Sequence, residues 1–318
     1  MTTVPMPLRT RAFGAALKRI AKEPANAEEM IALREKRQKL LATGVGTRVF
    51  GADSENVAVE DVVAQVDGRS IRLRVQRPVG SAGPLPVVVN YHGGGWCLGS
   101  PEQSRWMATR VAEQAGAIVV SPAYRLAPEN PFPAAVDDAW GVLQWVELHA
   151  ADIGGDPHRI AVMGDSAGGN LAAVVALAAR DAGGPKLSGQ VLVYPAVEMY
   201  ERWPSEEANA DAPVLTSSVM HTFTELYLAD SYGIEDWRAS PIRAASHGGL
   251  PRALILTAGH DPLRDHGQKY LDVLRSAGVR ADLVDYPETV HGFAALPGVA
   301  PAARVGLRDI VAFLREIL

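Results

Sequence analysis

The stretch Arg159-Ile160-Ala161-Val162-Met163-Gly164-Asp165-Ser166-Ala167-Gly168-Gly169-Asn170 joins two different kinds of local sequence. Its apolar first half has the length and composition of a buried strand. The residues that follow, 170–180, are rich in Ala, Leu and Val and read as a helix. Between them lies Gly-x-Ser-x-Gly, the pattern of a nucleophile elbow, in which a strand turns so sharply into a helix that the serine hydroxyl is presented in strained backbone geometry. Gly164 and Gly168 fit such a turn because side chains there would collide across it. A strand that ends in an exposed serine and feeds a helix implies an α/β architecture, and the rest of the chain carries the same alternation.

Working outward, residues 86–91 form a continuous apolar run, as expected of a strand covered on both faces. Further short strands are expected at 117–121, 159–163, 189–194, 253–257 and 280–285, with helices at 104–114, 134–148 and 268–276 between them. This order specifies a largely parallel, doubly wound sheet flanked by helices. Upstream, the period changes to two: Val57, Val59, Val62 and Val63 form one run, and Ile71, Leu73 and Val75 alternate with Arg72, Arg74 and Gln76. Asp67-Gly68 between these runs is a hairpin signal, so an antiparallel edge opens the sheet.

Two segments stand outside the alternation. Residues 1–45 read as one or two helices, with apolar Phe13, Leu17, Ile20, Met30, Leu33, Leu40 and Leu41, a break at Pro24, and an end at Gly44 and Gly46. Residues 195–245 are longer than a crossover needs and carry Met199, Tyr200, Trp203, Phe223 and Tyr227, which marks an inserted helical lid.

Composition narrows the function classes. The chain has 318 residues, 47% of them hydrophobic, and a net charge of −5, which argues against nucleic acid as a partner. The basic residues before position 40 are interleaved with Glu23, Glu28, Glu29 and Glu35, the signature of a solvated helical segment. The most apolar run, 171–179, is about half the length that spans a bilayer, so no stable membrane insertion is expected. Cys97 is the only cysteine, which excludes an intramolecular disulfide and fits a cytoplasmic location. Monomer and homodimer are both open.

In open α/β sheets functional groups gather at the carboxyl ends of strands. Three loops there hold reactive residue types. His92-Gly93-Gly94-Gly95-Trp96 leaves consecutive backbone N–H groups unshielded, as an oxyanion hole requires. Gly259-His260-Asp261-Pro262-Leu263-Arg264-Asp265 offers two carboxylates, and His291-Gly292-Phe293 offers an imidazole. The chain order serine, carboxylate, histidine is that of α/β-hydrolase triads. His260, Asp261, Asp265 and His266 are also metal-ligating residue types, but a triad acid at this loop accounts for the carboxylate without a metal.

On these motifs, together with Tyr124-Arg125-Leu126-Ala127-Pro128-Glu129 and Phe132-Pro133-Ala134-Ala135, the chain resembles the bacterial hormone-sensitive-lipase-like esterases of the α/β-hydrolase fold from about residue 50 to its end. The resemblance implies Ser166 as nucleophile, His291 as general base, Asp261 rather than Asp265 as the acid, and the N–H groups of Gly94, Gly95 and Ala167 as the oxyanion hole. It implies cap helices over 1–50, a catalytic domain over 51–318 and a cap insertion over 195–245. The expected reaction is hydrolysis of small esters with short to medium acyl chains through an acyl-enzyme, with neither metal nor organic cofactor. Trp96, Met199, Trp203 and Phe223 are the candidate substrate-binding residues. An amidase or peptidase would use the same groups, and a non-catalytic receptor on this fold would lack the histidine that this chain retains. Two positions depart from the usual pattern: Glu288, where Gly is common, and His266, where Glu is common.

Overall fold

In the computed structural model, which describes residues 4–20, 22–233 and 235–318, the chain builds an eight-stranded sheet in the order β1-β2-β4-β3-β5-β6-β7-β8. Helices α1 (Leu8–Ile20), α2 (Ala27–Leu41) and α3 (Gly44–Phe50) precede it. The opening strands β1 (Val57–Val66) and β2 (Arg69–Pro78) pair antiparallel through Asp67 and Gly68, both at positive φ, as a two-residue hairpin requires. Strand β3 (Leu85–Tyr91), helix α4 (Arg105–Ala115) and strand β4 (Ile118–Pro122) follow. Strand β2 pairs antiparallel with β4, and every later pairing is parallel.

Helix α5 (Ala134–His149) leads into β5 (Gly155–Asp165), and α6 (Ala167–Ala182) leaves it for β6 (Leu187–Val193). After the intervening segment with α7 (Pro204–Ala208) and α8 (Ser217–Leu228) come β7 (Ala253–His260), α9 (Arg264–Ser276), β8 (Ala281–Val290) and α10 (Ala302–Ile317). Alternate strand residues enter opposite cores. Val87, Val89, Ile160, Val162 and Ile255 pack with α5, α6 and α9, whereas Val88, Ala161, Met163 and Leu254 pack with α4 and α10. Both faces of the central strands are thereby dry, which is why their sequences are continuously apolar. No helix among the described residues is long and apolar enough to cross a membrane.

The N-terminal helices differ from expectation in one respect. Gly44 and Gly46 do not end the helical region but begin α3, because Thr43 caps a new helix by accepting the Gly46 N–H (3.1 Å). A Cβ at Gly46 would stand 2.0 Å from the Leu40 carbonyl oxygen, so only glycine lets α3 fold back on the end of α2. The side chain of Ile20 lies outside the described residues, whereas Met30 is fully buried.

The two segments that break the alternation touch one another. A Cβ at Gly14 would meet Pro213 at 2.6 Å, and the Thr216 hydroxyl donates to Glu23 (2.8 Å). Helix α1 also reaches the C-terminal region, where the Thr10 hydroxyl donates to the Val299 carbonyl (2.9 Å).

Candidate active site

The turn between β5 and α6 is as tight as the glycines suggest. Ser166 has φ 56° and ψ −118°, a conformation that L-residues rarely adopt. A Cβ at Gly164 would lie 2.1 Å from the Gly168 carbonyl oxygen, straight across the turn. The constraint at Gly168 is different: a Cβ there would lie 1.9 Å from the carbonyl oxygen of Tyr91, at the end of β3. One glycine closes the turn and the other lets the start of α6 rest on the neighbouring strand. The Ser166 N–H donates to the Val193 carbonyl (2.9 Å), which ties the elbow to β6 as well.

Three side chains from three strand ends meet here. The Ser166 hydroxyl lies 2.9 Å from Nε2 of His291, and Nδ1 of His291 lies 2.7 Å from Oδ2 of Asp261. Asp261 is fully buried, and its other oxygen accepts the Leu263 N–H (2.8 Å). A carboxylate can only accept, so Nδ1 carries the ring proton and Nε2 presents a lone pair to the serine hydroxyl. The arrangement can therefore pass the hydroxyl proton to the ring while a buried anion stands behind the resulting cation. The Tyr194 ring packs at a tilt on the His291 ring, with centroids 4.7 Å apart.

Opposite the serine runs the glycine loop. Gly94, Gly95 and Trp96 all have positive φ (129°, 59° and 57°), which turns the chain so that the Gly94 carbonyl accepts from the N–H groups of Cys97 (3.2 Å) and Leu98 (2.8 Å). The N–H groups of Gly94 and Gly95 have no acceptor among the described residues. Ala167 opens α6, so its N–H has no intrahelical partner either. His92 anchors the base of the loop. It is buried and stacked on Tyr124 (4.2 Å), its carbonyl accepts the Tyr124 hydroxyl (2.6 Å), and burial pushes its pKa down to about 4, so it stays neutral.

Asp165, to which motif reading assigns no role, ties the elbow to this loop: its Oδ1 accepts the Gly93 N–H (2.8 Å). Burial raises its pKa to about 6, against the lowering effects of the Gly93 N–H and the His291 charge. It lines, with Asn90 and Ser104, a cavity of about 20 Å³ beneath the elbow, room for about one water.

The candidate pocket residues occupy distinct places. Phe223, on α8, lies directly over Gly95: a Cβ there would be 2.2 Å from the Phe223 ring. Trp96 is buried and stacks flat on Tyr227 (4.3 Å). Met199 is held by its N–H donating to Glu198 and to the Ser240 hydroxyl (2.8 Å each). Trp203 packs edge-on against His266 (4.7 Å), behind the Asp261 loop. Of the two departures from the usual pattern, Glu288 is exposed on β8, and His266 is buried, accepts the Val197 N–H at Nδ1 (3.2 Å), and is kept neutral by burial, its pKa down to about 3. Asp265 faces away from the histidine, its Oδ2 accepting the Ser205 N–H (2.9 Å). His260 is turned outward, its Nε2 meeting the Val4 carbonyl (2.8 Å).

Known proteins share this framework. A family model described as the alpha/beta hydrolase fold matches residues 88–295. Carboxylesterase NlhH of Mycobacterium tuberculosis is 47% identical over 265 residues, covering 82% of this chain and 83% of that protein. The crystal structure of a thermostable esterase from Pseudomonas putida superposes with a TM-score of 0.91 at 34% identity, covering 100% of this chain and 99% of the other. A hyperthermophilic esterase from Pyrobaculum calidifontis gives a TM-score of 0.88 at 36% identity, covering 98% and 99%.

Proposed function

The chain belongs to the α/β-hydrolase fold family, in its hormone-sensitive-lipase-like branch, and is a carboxylic ester hydrolase; we propose that it works through an acyl-enzyme on Ser166, with small esters of short to medium acyl chain as substrates. The observation that carries this reading is the hydrogen-bonded line from Ser166 through His291 to Asp261, beside a glycine loop that is tied to the elbow at Gly93 and whose Gly94 and Gly95 N–H groups have no acceptor among the described residues. Ser166 Oγ attacks the ester carbonyl as His291 Nε2 takes its proton, and Asp261 holds the imidazolium in place. The carbonyl electron pair moves onto oxygen, where the N–H groups of Gly94, Gly95 and Ala167 receive it. Collapse of this intermediate expels the alcohol, which takes the proton back from Nε2. Water, deprotonated by the same nitrogen, then attacks the acyl-enzyme and releases the acid and Ser166.

In this reading residues 1–50 and 195–245 form the cap over a catalytic domain that spans 51–318, and the contacts of Gly14 with Pro213 and of Glu23 with Thr216 join the two cap pieces. Phe223 stands where an acyl chain leaves the oxyanion hole and limits its length, with Trp96, Met199 and Trp203 shaping the walls behind it. Rates on p-nitrophenyl esters from C2 to C16, measured for wild type and Ser166→Ala, test both parts. The expected result is a maximum at or below about C8 and a loss of several powers of ten in the variant. A variant with the wild-type rate would refute the triad, and a maximum at C12 or longer would refute the acyl-length reading.

A further inference from the structure

Helices α7 and α9 each begin without a capping side chain of their own: Trp203 precedes α7 and Leu263 precedes α9, and neither carries a polar group that could serve. Each helix is capped by the other instead. The Ser205 hydroxyl accepts the Asp265 N–H in the first turn of α9 (3.1 Å), and Asp265 Oδ2 accepts the Ser205 N–H in the first turn of α7 (2.9 Å). The same hydroxyl donates its proton to the Pro262 carbonyl (2.7 Å), and Asn209 at the end of α7 donates through Nδ2 to the Asp261 carbonyl (3.1 Å) and to the Ser205 carbonyl (3.1 Å). Thus Asp261 itself and the Pro262 that follows it are gripped from α7 by their carbonyls, while the loop's own bonds are the Leu263 N–H to Asp261 Oδ1, a turn from the Arg264 N–H to the Asp261 carbonyl and one from the His266 N–H to the Leu263 carbonyl.

Helix α7 is in turn fastened to α8. The Ser217 hydroxyl donates to the Glu206 carbonyl (2.7 Å), and the Glu206 carboxylate meets Nε2 of His221 (2.8 Å). Two residues beyond His221 is Phe223, over Gly95. Ser205, Glu206 and Asp261 are all buried, and their partners Asp265, Asn209 and His221 are half-buried, so these bonds are largely shielded from bulk water.

We propose that the reciprocal caps of Ser205 and Asp265 make the 195–245 segment a positioning element for the triad acid, so that this segment sets turnover as well as substrate choice. This rests on Asp261 acting as the triad acid. Ser205 touches no reacting atom; it works by fixing the backbone that aims the Asp261 carboxylate at His291. A shift of a few tenths of an ångström there weakens the hold on the imidazolium in both chemical steps and leaves the acyl pocket alone.

The test compares kcat and KM on p-nitrophenyl butyrate, and the butyrate-to-octanoate preference, for wild type, Ser205→Ala, Ser205→Thr, Asp265→Ala, the Ser205→Ala/Asp265→Ala pair and Ser166→Ala. Ser205→Ala is expected to lower kcat about tenfold to thirtyfold with KM within about twofold and the chain-length preference unchanged. Ser205→Thr, which keeps the hydroxyl, is expected to recover most of the loss. The double variant should be no slower than the worse single one, because both remove the same reciprocal caps. Should Ser205→Ala not fold, Asn209→Ala carries the test through the Asp261 carbonyl, with a smaller fall in kcat expected at constant KM. A wild-type kcat in Ser205→Ala, or in Asn209→Ala where that variant stands in, beside an inactive Ser166→Ala overturns the positioning role alone. So does a fall that Thr does not reverse, or one in which KM and chain-length preference move with kcat. An active Ser166→Ala overturns the triad itself.

Discussion

Replacing Asp165 with Asn should make the protein more stable and less active at once. Burial raises the Asp165 pKa from the ordinary 3.8 to about 6, so holding this carboxylate ionised at pH 8 costs the folded state roughly 3 kcal/mol. Asn keeps an oxygen for the Gly93 N–H, and what the charge adds to that bond is already contained in the net shift. The gain is therefore about 3 kcal/mol at pH 8, or roughly 4 °C in Tm for a chain of this length. The sign follows from the direction of the shift. A carboxyl whose folded pKa is raised contributes its stability fully below the unfolded value and loses it as pH rises through the folded one. Wild type and variant should therefore melt together near pH 4, diverge between about pH 4 and 6, and run parallel above.

Catalysis should move the other way. The Asp165 charge lies in the field of His291 and, in the proposed mechanism, favours the imidazolium formed on attack by Ser166, so kcat is expected to fall about tenfold in Asp165→Asn. Asp165→Ala, which also frees the Gly93 N–H and loosens the glycine loop, should fall further. Thermal melts at pH 4 and pH 8, with butyrate ester kinetics at pH 8, read both effects. An Asn variant less stable than wild type at pH 8, or one whose stability difference is the same at both pH values, would show that the carboxylate is not held ionised against burial, and the reasoning would fail.

Two more substitutions probe other parts of the molecule. Phe223→Ala removes the ring over Gly95 and should raise the decanoate-to-butyrate ratio of kcat/KM about tenfold; an unchanged ratio would mean that the acyl chain leaves by another route. Asp138→Ala deprives the Arg125 guanidinium and backbone N–H (2.8 Å and 2.9 Å) of a fully buried partner, so urea unfolding should show a loss of about 3 kcal/mol, and a loss under 1 kcal/mol would contradict that role.

How far the sequence speaks for itself depends on how local the governing interaction is. The elbow, the glycine run and the hairpin at Asp67-Gly68 are legible because positive φ and close backbone approach single out glycine within a few residues. Strand ends are less so. Residues 280–285 read as a strand, yet β8 runs to Val290, because the register shift between Ala258 and His260 lets β8 continue past Pro287 and Glu288, residues that normally stop one. Asp165 had a signal in its place beside Ser166, but its partner, Gly93, comes from another strand end. The hardest case is the choice between Asp261 and Asp265. Both are acids on one loop, and residue type alone does not separate them. What separates them is that Asp261 precedes α9, where the Leu263 N–H turns its carboxylate toward His291, whereas Asp265 lies in the first turn and is drawn to the Ser205 N–H sixty residues away in the chain. In the proposed mechanism the acid is selected by where α9 begins, and that beginning is capped by the Ser205 hydroxyl of the 195–245 segment, far away in the chain.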